Sequence, residues 1–139
     1  MSDKTVRVLF TGGGSGGPTI PLLALAQEIR GLKKNSEFLF LGSKFGPERK
    51  MVEQAEIPFS IIPSGKFRRY WNWRNFIDPL YILGGGITGL IYLLRFRPQV
   101  IVSAGSFVSV PVAYAAWLLR IPHVIMQMDL RSGLANRLM

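Results

Sequence analysis

Five short apolar runs, separated by longer stretches with helical patterning, limit the folds open to this chain more than any other feature. The runs are VRVLF at 6–10, EFLFLG at 37–42, FSIIP at 59–63, QVIVSAG at 99–105 and HVIMQM at 123–128. Each is bounded by turn residues and lacks strict polar alternation, as expected of strands buried on both faces. Between them lie LLALAQEIRGLKK after Pro21, PERKMVEQAE from Pro47, PLYILGGGITGLIYLLRF from Pro79 and PVAYAAWLLR from Pro111. Proline suits the first turn of a helix, where its missing N–H would have had no intrahelical partner. Strand and helix alternate, which predicts an α/β chain: a parallel sheet with helices on both faces. A length of 139 residues fits one domain. The closing SGLANRLM reads as a helix just beginning, so the natural domain is expected to continue past residue 139.

Composition narrows the function classes. With 48% hydrophobic and 18% charged residues the chain is not disordered, and it carries either a well-covered sheet or a membrane-facing surface. Seventeen Lys and Arg against eight Asp and Glu give a net charge of +9, which attracts a polyanion, an anionic bilayer or a phosphorylated substrate. There is no cysteine, and His123 is the only histidine. Neither a disulfide framework nor a thiolate metal site can form, and no metal or cofactor is expected. MSDKTVRVLF lacks the apolar core and cleavage site of a signal peptide, so the expected compartment is a reducing cytoplasm.

Parallel sheets bind ligands at the carboxyl ends of their strands. The loops GGGSGG, GSKFG, PSGKF, GSFVSV and MDLRSG are all expected to open there. The first belongs to TGGGSGGPTIP, residues 11–21, with five glycines before a helix. Glycine lets a ligand touch the backbone, and amides at a helix start favour negative charge, so phosphate or pyrophosphate is the natural guest. A turn that merely permits close packing is the alternative. Gly12, Gly14 and Gly17 match the dinucleotide pattern GxGxxG. An NAD site expects an acid at the end of the second strand, where Gly42, Ser43 and Lys44 stand instead. Lys44 suits a 2′-phosphate, so an NADP-dependent reductase domain stays open. Against it, Pro18 and Pro21 remove two N–H donors from the helix start. A P-loop is ruled out, because Pro18 occupies the place of its lysine.

GKFRRYWNWRNF places Lys66, Arg68, Arg69 and Arg74 among Phe67, Tyr70, Trp71, Trp73 and Phe76. Cations interleaved with aromatics suit a bilayer interface. Leu80 to Leu94 carries no charge, yet it falls short of the roughly 20 residues needed to cross a hydrocarbon core. Gly84, Gly85, Gly86 and Gly89 each cost a helix about 1 kcal/mol relative to Ala, which predicts a kink or break. Lys66, Arg68, Arg69, Trp71, Trp73 and Arg74 are therefore candidate membrane-binding residues; a core helix with a solvated basic face is the competing reading. Nucleic-acid stacking is disfavoured, since the uncharged run has no use in a nucleic-acid channel. Among single residues, His123 is expected to be a satisfied core or edge histidine. Glu48 and Glu53 are expected to be surface charge, Asp78 an N-cap and Trp117 a core side chain.

Taken with three later segments, the glycine loop resembles the MurG-like N-acetylglucosaminyltransferases of glycosyltransferase family 28. The family's GGTGGHxxP is matched by Gly13, Gly14, Ser15, Gly16, Gly17, Pro18 and Pro21. Its GGYVSGP is similar to GSFVSVP at 105–111, its HEQN aligns with Met126, Gln127, Met128 and Asp129, and SGLANR resembles its AGLTNK.

The resemblance implies the amino-terminal, acceptor-side half of a two-domain GT-B fold, with a Rossmann-like sheet. It implies transfer of N-acetylglucosamine from UDP-N-acetylglucosamine to a polyprenyl-pyrophosphate-linked sugar in peptidoglycan synthesis, at the cytoplasmic face of the plasma membrane. A carboxyl-terminal domain or subunit would grip most of the UDP-sugar. The implied substrate-binding residues are Gly13, Gly14, Ser15, Gly16 and Gly17 on pyrophosphate, Gly105 and Ser106 in the acceptor cleft, and Asp129 toward the nucleotide sugar. Departures matter equally. Pro18 replaces a histidine and can neither take nor give a proton, Asp129 replaces an asparagine, and Met126 and Gln127 replace His and Glu. No catalytic residue is assigned, and a noncatalytic membrane or lipid-pyrophosphate binding module is the alternative function.

Overall fold

The computed structural model describes residues 4–12, 17–44, 46–62, 78–104 and 108–126, with backbone alone for 78–82. The elements run β1 (Val6–Thr11), α1 (Thr19–Leu32), β2 (Ser36–Gly42), α2 (Glu48–Gln54), β3 (Phe59–Ile61), α3 (Asp78–Phe96), β4 (Val100–Ser103), α4 (Ser109–Leu118) and β5 (His123–Ile125). All strand pairs are parallel, in the order β3-β2-β1-β4-β5. β1 is central: Phe10 sits between Phe40 and Val102, and Thr11 between Leu41 and Ser103.

Strand pleating sends alternate side chains to opposite faces and so builds two cores. Val8, Phe10, Phe38, Phe40 and Val102 pack with Leu22, Ala26 and Val52 of α1 and α2. Leu9, Leu39, Leu41 and Ile101 pack on the other face with Leu93, Val112, Ala115 and Ala116 of α3 and α4. Helices thus cover both faces, as the alternating sequence predicts. On the second face α3 meets α4 at Gly89, where a Cβ would lie 3.6 Å from the backbone of Val112, an ordinary contact distance. That distance leaves room for little more than a methyl group.

Two expectations are corrected. The expected break does not interrupt α3, which is one helix from Asp78 to Phe96 despite its glycines; tertiary packing outweighs the intrinsic cost of glycine. The helices begin near prolines as expected: α1 and α4 start at Thr19 and Ser109, which puts Pro21 and Pro111 in their first turns. The first four helical N–H groups have no intrahelical partner, so proline is tolerated within that turn as well as at its start. Trp117, expected in the core, is 78% exposed. α4 is buried at Ser109, Val110, Pro111, Val112, Ala113, Ala115 and Ala116, and Trp117 follows that stretch, exposed together with Tyr114 and Leu118.

β5 is an edge strand held by β4 alone. His123 lies opposite Ile101, but its Nε2 reaches diagonally to the Ser103 Oγ at 2.6 Å. Its expected role as a satisfied edge histidine matches this contact. Burial lowers the imidazole pKa below its usual value.

Two outcomes follow from this packing. Leu22 is fully buried, so Leu22→Ala should cost about 2–5 kcal/mol, read from urea unfolding. Because the folded pKa of His123 is depressed, the unfolded chain binds the proton more readily. The stability associated with neutral His123 is complete above the unfolded pKa of about 6.5 and is lost as pH falls toward and through the folded value. His123→Gln should therefore flatten the change in Tm between pH 7.5 and 5.5.

Candidate functional site at the carboxyl edge of the sheet

The strand order reverses between β1 and β4, and in open α/β sheets the crevice outside such a reversal receives the ligand. Backbone pairing continues one residue past the strands and fixes the roots of the loops around it. Gly12 N donates to Leu41 O at 3.3 Å, Ala104 N to Thr11 O at 3.3 Å, Ile62 N to Gly42 O at 2.9 Å and Met126 N to Ser103 O at 2.7 Å. A Cβ on Gly12 would stand 3.8 Å from the Ala104 Cβ. Gly12 and Ala104, the roots of the glycine loop and of the segment from 105, are therefore adjacent, with Met126 beside Ser103.

Polar burial is concentrated at this same edge. Among the described residues the buried polar or charged ones are Thr11, Thr19, Glu48, Ser103 and Ser109. Thr11 and Ser103 end β1 and β4, while Thr19, Glu48 and Ser109 are the first residues of α1, α2 and α4. Among the described residues Thr11 Oγ1, Thr19 Oγ1, Ser109 Oγ and Glu48 Oε2 at this edge are buried without a hydrogen-bond partner, as is Ser36 Oγ at the amino end of β2. Buried polar groups without partners are costly and rare, and they mark places where structure has been shaped by something other than stability. The starts of α1 and α4 carry no side-chain cap; Pro18 and Val108 occupy the cap positions. Among the described residues no side chain caps these helix starts, which lie at the edge where an anion would dock.

Of the residues expected to bind substrate, Gly17 is described and is exposed at the approach to α1, with nothing within 4 Å of a Cβ placed on it. Gly13, Gly14, Ser15, Gly16, Gly105, Ser106 and Asp129 lie outside the described residues, as do the membrane candidates Lys66, Arg68, Arg69, Trp71, Trp73 and Arg74. Glu48 corrects its expectation: instead of a surface charge it is a fully buried carboxylate. Glu53 remains exposed, paired with Arg49 at 3.0 Å. Sequence reasoning passed over Thr11, Ser103 and Ser109. The available signal was a hydroxyl residue closing an apolar strand or opening a helix at the ligand-binding edge.

A second surface lies on the outer side of α3 and α4. Leu83, Ile87, Ile91 and Leu94 of α3 and Tyr114, Trp117 and Leu118 of α4 are each at least half exposed. These seven are most of the eleven exposed large hydrophobic residues described, so the apolar exposure is clustered. A groove of about 300 Å³ runs between the helices, lined by Leu83, Gly86, Ile87, Leu90, Pro111, Tyr114, Ala115 and Leu118. Arg95, Arg97 and Arg120 are exposed near the far ends of the two helices. Among the described residues, no helix is long and apolar enough to cross a membrane, and no cluster of His, Cys, Asp or Glu is placed to hold a metal.

Comparison with known proteins agrees with this architecture. Residues 8–139 match the glycosyltransferase family 28 N-terminal domain. A UDP-N-acetylglucosamine–N-acetylmuramyl-(pentapeptide) pyrophosphoryl-undecaprenol N-acetylglucosamine transferase of Legionella pneumophila is 43% identical over 131 residues, covering 94% of this chain and 36% of the relative. The enzyme of the same name from Borrelia turicatae is 41% identical over 133 residues, covering 95% and 37%. The crystal structure of Acinetobacter baumannii MurG superposes with a TM-score of 0.79 at 23% identity, over 95% of this chain and 38% of that one. The glycosyltransferase SnogD of Streptomyces nogalater follows at 0.65, over 97% and 37%. The chain spans a little over a third of the length of the curated relatives that it matches. Its five-stranded sheet is the Rossmann-like half of a GT-B fold, and the chain belongs to glycosyltransferase family 28, matching that family's N-terminal domain.

Proposed function

We propose that this domain is the acceptor-side half of an inverting, metal-independent transferase that moves N-acetylglucosamine from UDP-N-acetylglucosamine to a polyprenyl-pyrophosphate-linked sugar. The observation that carries the reading is the concentration of buried hydroxyls and uncapped helix starts at the sheet's reversal point. Neutral donors of this kind hold an oxyanion without bringing a fixed counter-charge. In the proposed scheme the amides of Ser15, Gly16 and Gly17 hold the diphosphate, with Gly13 and Gly14 giving its oxygens access to the backbone. Gly105 and Ser106 line the acceptor cleft. Asp129 faces the nucleotide sugar, which a carboxyl-terminal domain grips. The printed names of the relatives, which act on a pyrophosphoryl-undecaprenol acceptor, support the same substrate class.

The domain is further proposed to sit peripherally on the cytoplasmic face of an anionic membrane. Lys66, Arg68, Arg69, Trp71, Trp73 and Arg74 immediately precede α3, whose outer face is apolar together with that of α4. Trp117, exposed on that face, has an aromatic ring suited to the headgroup level.

Combining the chain with a family 28 carboxyl-terminal domain, UDP-N-acetylglucosamine and a lipid-linked acceptor should yield transfer. Retained binding to polyprenyl diphosphate with no turnover would instead identify a noncatalytic binding module, the outcome consistent with Pro18 in the loop. For the membrane surface, a basic residue near an anionic bilayer contributes about 1 kcal/mol. Arg68→Ala with Arg69→Ala should therefore weaken binding to phosphatidylserine vesicles by about 30-fold, with little change on neutral vesicles, in a sedimentation assay. Trp117→Ser should weaken binding to both kinds of vesicle without altering the circular dichroism of the chain.

A further inference from the structure

Glu48 is the one charged residue that is fully buried among those described. Glutamate is almost never buried to this degree without a partner that recovers the lost hydration. Among the described residues the ion pairs are Arg7 with Glu37 and Arg49 with Glu53, and neither includes Glu48. Among the same residues its hydrogen-bond partner is Ser43. Ser43 donates to Glu48 Oε1 twice, from its backbone N–H at 3.0 Å and from its hydroxyl. Oε2 has no donor and lies against Gly46, where a Cβ would overlap the carboxylate. The two features depend on each other. Glycine at 46 vacates the space that the carboxylate fills, and the carboxylate in that space holds the start of the turn at Ser43.

This turn stands between two parts of the proposed site. Gly42 accepts from Ile62 N, the root of the segment leading into the basic aromatic stretch. On the other side Leu41 accepts from Gly12 N, the root of the glycine loop. The turn therefore leaves the sheet between the root of the glycine loop and the root of the segment after β3.

We infer that Glu48 is a positioning residue: its carboxylate, seated in the space left by Gly46, locks the β2–α2 turn as a wall of the acceptor cleft. This inference rests on the proposed reading of the carboxyl edge as the acceptor site. Glu48 touches no reacting atom in the scheme and acts through Ser43. Glutamine retains an acceptor for both Ser43 donors, whereas alanine retains none.

Two measurements on the intact 139-residue chain test it. Hydrogen exchange of the Ser43 amide should accelerate at least tenfold in Glu48→Ala and in Gly46→Ala, and stay within about threefold of wild type in Glu48→Gln. Affinity for vesicles carrying undecaprenyl diphosphate, compared with vesicles lacking it, should fall about tenfold in the same two variants and hold in Glu48→Gln. The double variant should be no worse than Glu48→Ala alone, because glycine and carboxylate act as one unit. Gly46→Ala keeps the charge and Glu48→Gln keeps the volume, so a poorly folding Glu48→Ala does not decide the result. Unchanged Ser43 exchange in Gly46→Ala, loss in Glu48→Gln equal to that in Glu48→Ala, or additive effects would overturn the lock. Faster exchange with unchanged diphosphate affinity would overturn its link to the cleft. A wild-type chain that ignores the diphosphate would overturn the acceptor reading, whereas Ser43 exchange still judges the lock by itself.

Discussion

The parallel pairing of β1 with both β2 and β4 is the constraint from which the rest of the molecule follows. It buries Val8 to Thr11 on both faces, and it sets the point where successive crossovers run to opposite sides. β2 and β3 extend one way with α1 and α2 above one face; β4 and β5 extend the other way with α3 and α4 on the second. Because right-handed crossovers cannot all lie on one face of such a sheet, a crevice opens where the direction changes. The buried hydroxyls of Thr11 and Ser103 face each other across that point, neighbours in register. A sheet optimised for stability alone would place apolar side chains there.

The two helix layers differ in what they leave outside. Arg30 of α1 donates to Ala55 O and Glu56 O at 2.7 and 2.9 Å, closing the end of α2, and its guanidinium stacks over Phe38. That layer is tied together by polar contacts at its rim. α3 and α4 pack through small residues, Gly89 against Val112, and direct their large apolar side chains outward. Water gains nothing from such a face, whereas a bilayer surface covers it at little cost in polar desolvation. The two sides thus differ in chemistry: one is bounded by polar contacts, the other by exposed apolar side chains, which the proposed membrane contact would cover.

Much of the fold was legible because doubly covered parallel strands need near-continuous apolar sequence: all five runs became strands, with ends shifted by a few residues. Family membership was legible in the order of short motifs, and the comparisons agree. The errors share a physical origin. A helical pattern gives the period of a face, not its partner, so Trp117 on a helix of small apolar residues could not be assigned inside or outside from α4 alone. Glu48 looked like its neighbours Arg49 and Lys50 because its burial depends on Ser43 and Gly46, whose meeting requires the turn to be closed. Helix starts were legible at the prolines, since Pro21 and Pro111 stand in the first turns of α1 and α4. The motifs that carry the proposed chemistry lie mostly outside the described residues.

What the domain is equipped to do chemically can be read from the groups at its edge. Threonine and serine hydroxyls and helix-start amides bind oxyanions but do not shuttle protons near neutrality. The one described carboxylate there is occupied with Ser43, and the imidazole of His123, its pKa lowered by burial, is turned to Ser103. Pro18 removes the loop position at which the family carries a histidine. Under the proposed reading, this half therefore binds and orients a diphosphate-bearing acceptor, and the net charge of +9 draws that acceptor and its membrane from a distance. The same proposal assigns proton transfer and activation of the sugar donor to groups other than these, so replacement of titratable residues in the family-like motifs is compatible with the proposed binding role.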